Sequence, residues 1–172
     1  EIGLDFHWNY GTVQRQLQLF ELQLDAAQDI GLPVAIHSRD ADEALLGIIS
    51  KRDFPHGGIL HCFSSSLQVA KTAWERNLMI SFAGPVTYKN SSALTDVLCR
   101  VPDHALLVET DSPYLPPQPM RGKTNTPEAI VYVYQRVAQL RAVPLDVLVR
   151  LVGRNFERVI GPIARHAALA AR

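Results

Sequence analysis

Cysteine is scarce in this chain: two in 172 residues, Cys62 and Cys99, with no CxxC spacing. That excludes a disulfide scaffold and a thiolate zinc knot, and suits reduced thiols in a cytosolic protein. Long apolar runs are missing as well. None approaches the roughly 20 residues a membrane-spanning helix requires, and the opening EIGLDFHWNY has neither the basic nor the apolar region of a secretory signal. The expectation is therefore a cytoplasmic chain with no membrane partner. Neither sign of charge is in excess, because 17 Lys and Arg stand against 17 Asp and Glu. No global field draws the chain to nucleic acid, so a polyanion would have to be held by a local patch. There is no glycine-rich phosphate loop, since Gly57-Gly58 lacks the spacing, and there is no nucleophile elbow.

What the chain does contain is a steady alternation of short apolar runs and amphipathic stretches. Residues 13–30 carry Leu17, Phe20, Leu24 and Ala27 at helical spacing and stop at Gly31. Strands are expected at 33–36, 58–60, 78–82 and 105–108, with a further strand remnant at 1–4. Helices are expected at 40–50, from Ser64-Ser65-Ser66 to 74, and at 91–99. Thr126-Pro127-Glu128 reads as N-cap, N1 proline and acidic first turn of a helix to Arg141. Another helix begins at Pro144, and a short last one covers 155–160. Such alternation with short connections implies right-handed crossovers and one parallel α/β domain. A closed eight-unit barrel typically needs about 250 residues, more than are present.

Three of these apolar runs lead directly into metal-ligand residues: Ile36 into His37, Leu60 into His61, and Val108 into Glu109-Thr110-Asp111. In parallel α/β folds catalytic groups collect where strands end, because the following loops open on one face. A single histidine at a strand end is often a satisfied core residue. Two at the ends of neighbouring strands, with Glu1 and Asp111, form a donor set for zinc, manganese or magnesium. Arg39 is suited to an anionic substrate, while Asp40 is either its ion-pair partner or a helix N-cap. Arg121-Gly122-Lys123 makes a local basic patch ahead of a helix start, and Tyr88-Lys89-Asn90 a weaker one. Cys62 follows His61 directly; on a strand the two would point to opposite faces, so no Cys–His dyad is expected.

In this order, EIGLD, PVAIHSRDA, HCFSSS, ISFAGPVTYKN, LLVETDSPYLPPQPMRGKTN and NFERVIG resemble the TatD family of metal-dependent deoxyribonucleases, from residue 1 to about 161. The resemblance implies a parallel (β/α) barrel of TIM type with two divalent metal ions. The implied reaction is hydrolysis of DNA phosphodiesters by metal-activated water, as a 3′ to 5′ exonuclease. By matched position Glu1 would bridge the metals, His37 and His61 would bind the second, and Asp111 would bind the first and act as base. Glu109 would be an outer partner or a member of a buried ion pair. Arg39, Asn90, Arg121 and Lys123 would touch phosphate or substrate. Family members begin with a strand ending in His-x-His, which this chain lacks; His7, His56, His104 and His166 are isolated. The expectation is thus residues 1–161 as roughly the last five of eight βα units, with 162–172 as a flexible Ala/Arg tail. Partners would be DNA and a missing N-terminal segment or another chain completing the barrel. The competing readings are a related barrel hydrolase of a small ester or amide, and a non-catalytic remnant or assembly partner.

Overall fold

β4, Leu78–Phe82, is buried at every residue, as a strand must be when covered on both faces. In the computed structural model, which describes residues 1–170 with side chains through Gly161, it lies in a five-stranded parallel sheet. The other strands are β1 Ile2–Asp5, β2 Val34–Arg39, β3 Gly58–Leu60 and β5 Leu106–Val108. Sheet order is β1-β2-β3-β4-β5, the same as chain order, and every pairing is parallel. Consecutive βα units laid side by side in one direction are an arc of a (β/α) barrel, the architecture expected from the sequence.

The helices are α1 Val13–Asp29, α2 Asp42–Ile49, α3 Leu67–Glu75, α4 Ser92–Arg100, α5 Ile130–Arg141 and α6 Leu145–Ala170. Phe20 and Leu24 of α1, Leu45, Ile48 and Ile49 of α2, and Val69, Ala70 and Ala73 of α3 form the buried stripes. They close over Leu4, Ile36, Leu60 and Ile80 of the sheet. Thr12 caps α1 through the Arg15 N–H and Ser66 caps α3 through the Val69 N–H, satisfying donors that a first turn leaves free. Gly3 is required where it stands. Its φ is +143°, and a Cβ there would lie 2.0 Å from the His37 carbonyl oxygen, so only glycine lets β1 approach β2 this closely.

Several boundaries differ from expectation for local reasons. β2 continues through His37 to Arg39, because its ladder with β1 runs on to Asp5↔Arg39. The Thr126-Pro127-Glu128 segment opens α5 as a 3₁₀ turn, Pro127–Ala129, and Thr126 makes no capping bond to the backbone. Asp40 is not a helix cap: Ala41 occupies that position, and the Asp40 carboxylate meets His7 Nδ1 at 3.0 Å. The two helices expected after Pro144 are one, α6. Asn155 does not start a helix; within α6 its amide donates to the Asp103 and Leu106 carbonyls at 2.6 and 2.8 Å. The expected flexible tail at 162–172 lies outside the described side chains.

Candidate metal centre

Parallel register decides which side chains meet. β1–β2 pairing sets Gly3 opposite His37, and β2–β3 pairing sets Ile36 opposite Leu60. His37 and His61 are the next residues along, and the ladder continues there, with the His61 N–H on the Ile36 carbonyl at 2.9 Å. Their rings stand side by side, centroids 5.7 Å apart. On the far side, Phe82 pairs Val108 and the Glu109 N–H bonds the Phe82 carbonyl at 3.0 Å. All these residues leave the sheet at its C-terminal end.

The centre of the cluster is His61. Its Nε2 lies 2.8 Å from Glu1 Oε2, its Nδ1 lies 2.8 Å from Glu109 Oε1 and 4.0 Å from Asp111 Oδ1. Glu109 Oε1 also accepts the Cys62 N–H at 3.0 Å. Two groups of donors have ligand atoms within 4.8 Å of one another: Glu1, His37 and His61, and His61, Glu109 and Asp111. The hydrogen bond to Glu109 raises the His61 pKa against the opposing effect of burial, and the charges of Glu109, Glu1 and Asp111 add to the rise. Burial raises Asp111, with the Cys62 thiol and His61 working against it. Burial and the neighbouring carboxylates push the Cys62 thiol up, so it stays protonated.

Asp111 is delivered by a loop that is tied down at several points. Asn125, buried, donates to the Thr110 and Tyr114 carbonyls at 2.7 and 2.6 Å. Tyr88 Oη donates to the Pro116 carbonyl at 3.0 Å. Gly84 lets this loop settle onto the end of β4, since a Cβ there would lie 2.0 Å from the Leu115 carbonyl oxygen. Asp111 and Cys62 both adopt positive φ, 59° and 44°. Their side chains meet, the thiol donating to Asp111 Oδ2 at 3.5 Å. Cys62 thus lies beyond the strand end, where face alternation no longer applies, and turns toward Asp111 rather than His61.

The remaining sequence-derived residues stand apart. Arg39 is exposed, its guanidinium 5.7 Å from the Trp8 ring centroid. Arg121 stacks on Tyr88 at 4.5 Å, and Asn90 lines an open groove with Tyr88 and Ser64. Lys123 is exposed on the same loop. No described hydrogen bond or ion pair joins these four to the cluster. Sequence reasoning missed Asp5. Its Oδ2 contacts His37 Nε2 at 3.1 Å, while Oδ1 accepts the His7 and Trp8 N–H groups at 2.9 and 3.1 Å. Partial burial pushes Asp5 up, but those N–H groups and the His37 ring outweigh it and hold the carboxyl below its ordinary value. Period-two alternation from Glu1 puts position 5 on the same face, a signal that was available. Gln16, which clamps the Asp5 backbone N–H and carbonyl at 2.9 and 2.8 Å, gave none.

The donor chemistry fits a divalent cation. Glu1, Glu109 and Asp111 converge on one imidazole, and among the described residues no lysine or arginine pairs with any of them. Three carboxylates held this close, two of them half-buried, repel one another unless a positive charge sits between them. An arc of parallel βα units whose imidazole and carboxylate donors converge on His61 defines an α/β protein with a candidate metal centre. The chain belongs to the TatD related DNase family, whose pattern it matches over residues 1–161. It is 37% identical over 160 residues to the metal-dependent hydrolase YabD of Bacillus subtilis, covering 92% of this chain and 63% of that protein. It is also 37% identical to the metal-dependent hydrolase YcfH of Escherichia coli, covering 92% and 60%. The crystal structure of YJJV, a TatD homolog from Escherichia coli, superposes with TM-score 0.87 at 33% identity, covering 92% of this chain and 61% of that one. The chain therefore spans 60–63% of the length of the curated relatives named here.

Proposed function

We propose that this chain carries the metal-binding and catalytic part of a deoxyribonuclease that hydrolyses DNA phosphodiester bonds from the 3′ end. The observation that supports this best is the convergence of Glu1, Glu109 and Asp111 on His61 with no compensating cation among the described residues. Glu1, His37 and His61 would hold one divalent ion, and Asp111 with Glu1 would contribute to a second. When bound, zinc, magnesium or manganese supplies Lewis acidity and lowers the pKa of water. The other roles belong to the chain's own groups. Glu109 accepts the His61 Nδ1–H and so turns Nε2 toward Glu1, the orienting role carboxylates play behind metal-binding histidines. Asp5 does the same behind His37. The Cys62 thiol occupies Asp111 Oδ2, leaving Oδ1 to take the proton of the attacking water, a general-base role. Arg39, Asn90, Arg121 and Lys123 would meet phosphates along the strand.

Digestion of a 3′-labelled oligonucleotide tests this. In a complete barrel carrying this segment, turnover is expected with manganese, magnesium or zinc and none with EDTA, restored on adding metal back. Cleavage that persists in EDTA, or hydrolysis of small esters or amides with DNA left intact, would replace this reading by another.

A further inference from the structure

The loop between β1 and α1 carries exposed aromatic surface beside the metal centre. Trp8 is 53% exposed and Tyr10 74%. A lone exposed aromatic on a surface needs no explanation, but Trp8 is held in place from several directions. The His7 ring meets it edge-on, centroids 4.8 Å apart at 87°. The Arg39 guanidinium lies 5.7 Å from its centroid. Its backbone N–H is fixed by Asp5 Oδ1, and its carbonyl accepts the Tyr10 N–H at 3.0 Å. His7 in turn is held by Asp40. An ordered indole with an adjoining guanidinium is the pairing that single-stranded nucleic acid uses, the base stacking on the ring and the cation meeting the backbone.

The same carboxylate that fixes this loop also touches the centre: Asp5 Oδ2 contacts His37 Nε2. One side chain thus separates the aromatic surface from a proposed metal ligand. Past β4, Arg121 stacks on Tyr88, and the two cation–ring pairs differ. On the Tyr88 side the cation covers the ring; on the Trp8 side half of the residue is open to a ligand.

We propose that Trp8 is the stacking surface for the 3′-terminal base of a single-stranded DNA end, with Arg39 meeting the adjoining phosphate. This rests on the nuclease reading above and adds to it a specific subsite. Stacking tolerates any base, which suits an enzyme that removes nucleotides in succession, and it requires the end to be unpaired.

The test measures binding of a fluorescein-labelled oligothymidylate with cleavage-resistant phosphorothioate linkages, in manganese, by fluorescence anisotropy. A matched oligonucleotide carries an abasic residue at its 3′ end. Trp8→Ala is expected to weaken binding of the base-bearing strand by roughly 5- to 150-fold, the usual range for one stacked base. It should leave the affinity for the abasic-ended strand unchanged, and Trp8→Tyr should restore most of the loss. Equal losses on both strands, in a variant whose thermal unfolding matches wild type, would make Trp8 a structural residue and overturn the subsite. No loss on either strand would overturn it as well. If wild type hydrolyses DNA while either of these holds, the nuclease reading survives alone. If wild type neither binds nor hydrolyses any oligonucleotide, both fall.

Discussion

His61 has a carboxylate within 2.8 Å of each ring nitrogen, and this arrangement has a measurable pH signature. The folded-state pKa of His61 is raised, chiefly by Glu109. A raised histidine contributes stability that is fully present below its unfolded value of about 6.5 and is lost as pH rises through the folded value. Asp111, also raised, acts in the same sense at lower pH. A bound divalent cation needs neutral imidazole, so its stabilisation grows as pH rises. Thermal unfolding in EDTA is therefore expected to show Tm falling from pH 6 upward, and saturating manganese should reverse the slope. Parallel slopes with and without metal would remove His61 from the ligand set. Among the carboxylates, Asp111→Asn is expected nearly to abolish DNA turnover in an intact barrel that carries this segment. Glu109→Gln, which disturbs only the orientation of His61 and the Cys62 N–H, should cost about 10–100-fold and leave measurable activity. Steady-state digestion at saturating metal compares the two, and a more damaging Glu109→Gln would exchange their roles.

Two buried asparagines, equivalent on paper, tie down different elements. Asn155 joins α6 to the start of β5, and Asn125 closes the loop that carries Asp111. Each alanine variant strands two carbonyls, at about 1–3 kcal/mol for an unsatisfied buried group. Both should lower the urea midpoint, but only Asn125→Ala should also weaken manganese binding in a calorimetric titration. Equal metal affinity in the two variants would mean the loop holds Asp111 without its staple. Neither role was legible in the sequence, because asparagine has no periodicity and its partners lie at separations of 11 to 52 residues. The strands were legible for the opposite reason. Residues 78–82 and 58–60 are short, largely apolar runs preceded by Asn77 and Gly57, and the structure has β4 and β3 at those limits. The histidines followed from runs of the same kind, His61 one residue past β3 and His37 inside β2, whose ladder runs on to Arg39. Asp5 ends β1 on the face of Glu1, so alternation did mark it, whereas Cys62 lies past the end of β3, where alternation fails and tertiary contacts decide its direction.

At the scale of the whole molecule, each of the five strands pairs only with its chain neighbours, leaving one side of β1 and one side of β5 unpaired among the described residues. Unpaired edges are templates for association. Residues 1–172 produced alone are expected to sediment as concentration-dependent oligomers. A monodisperse monomer at high concentration would show that the edges are protected in another way. No described helix is long and apolar enough to cross a membrane.

Because spatial order in the sheet repeats chain order, the route by which the molecule is made is constrained. As the chain leaves the ribosome, each strand finds its neighbour already in place a few tens of residues upstream, so every loop to be closed is short and its entropy cost modest. The sheet can grow one unit at a time, in the direction of synthesis. At each step, however, the newest strand is an open edge until its successor emerges. The exception is the last fastening: Asn155 reaches back to the carbonyls of Asp103 and Leu106, so β5 is locked only when α6 has been translated. A nascent chain that has emerged past Val108 but not yet past Asn155 would present a sheet whose β5 is laid but not secured, and that interval is where a chaperone would find most to hold.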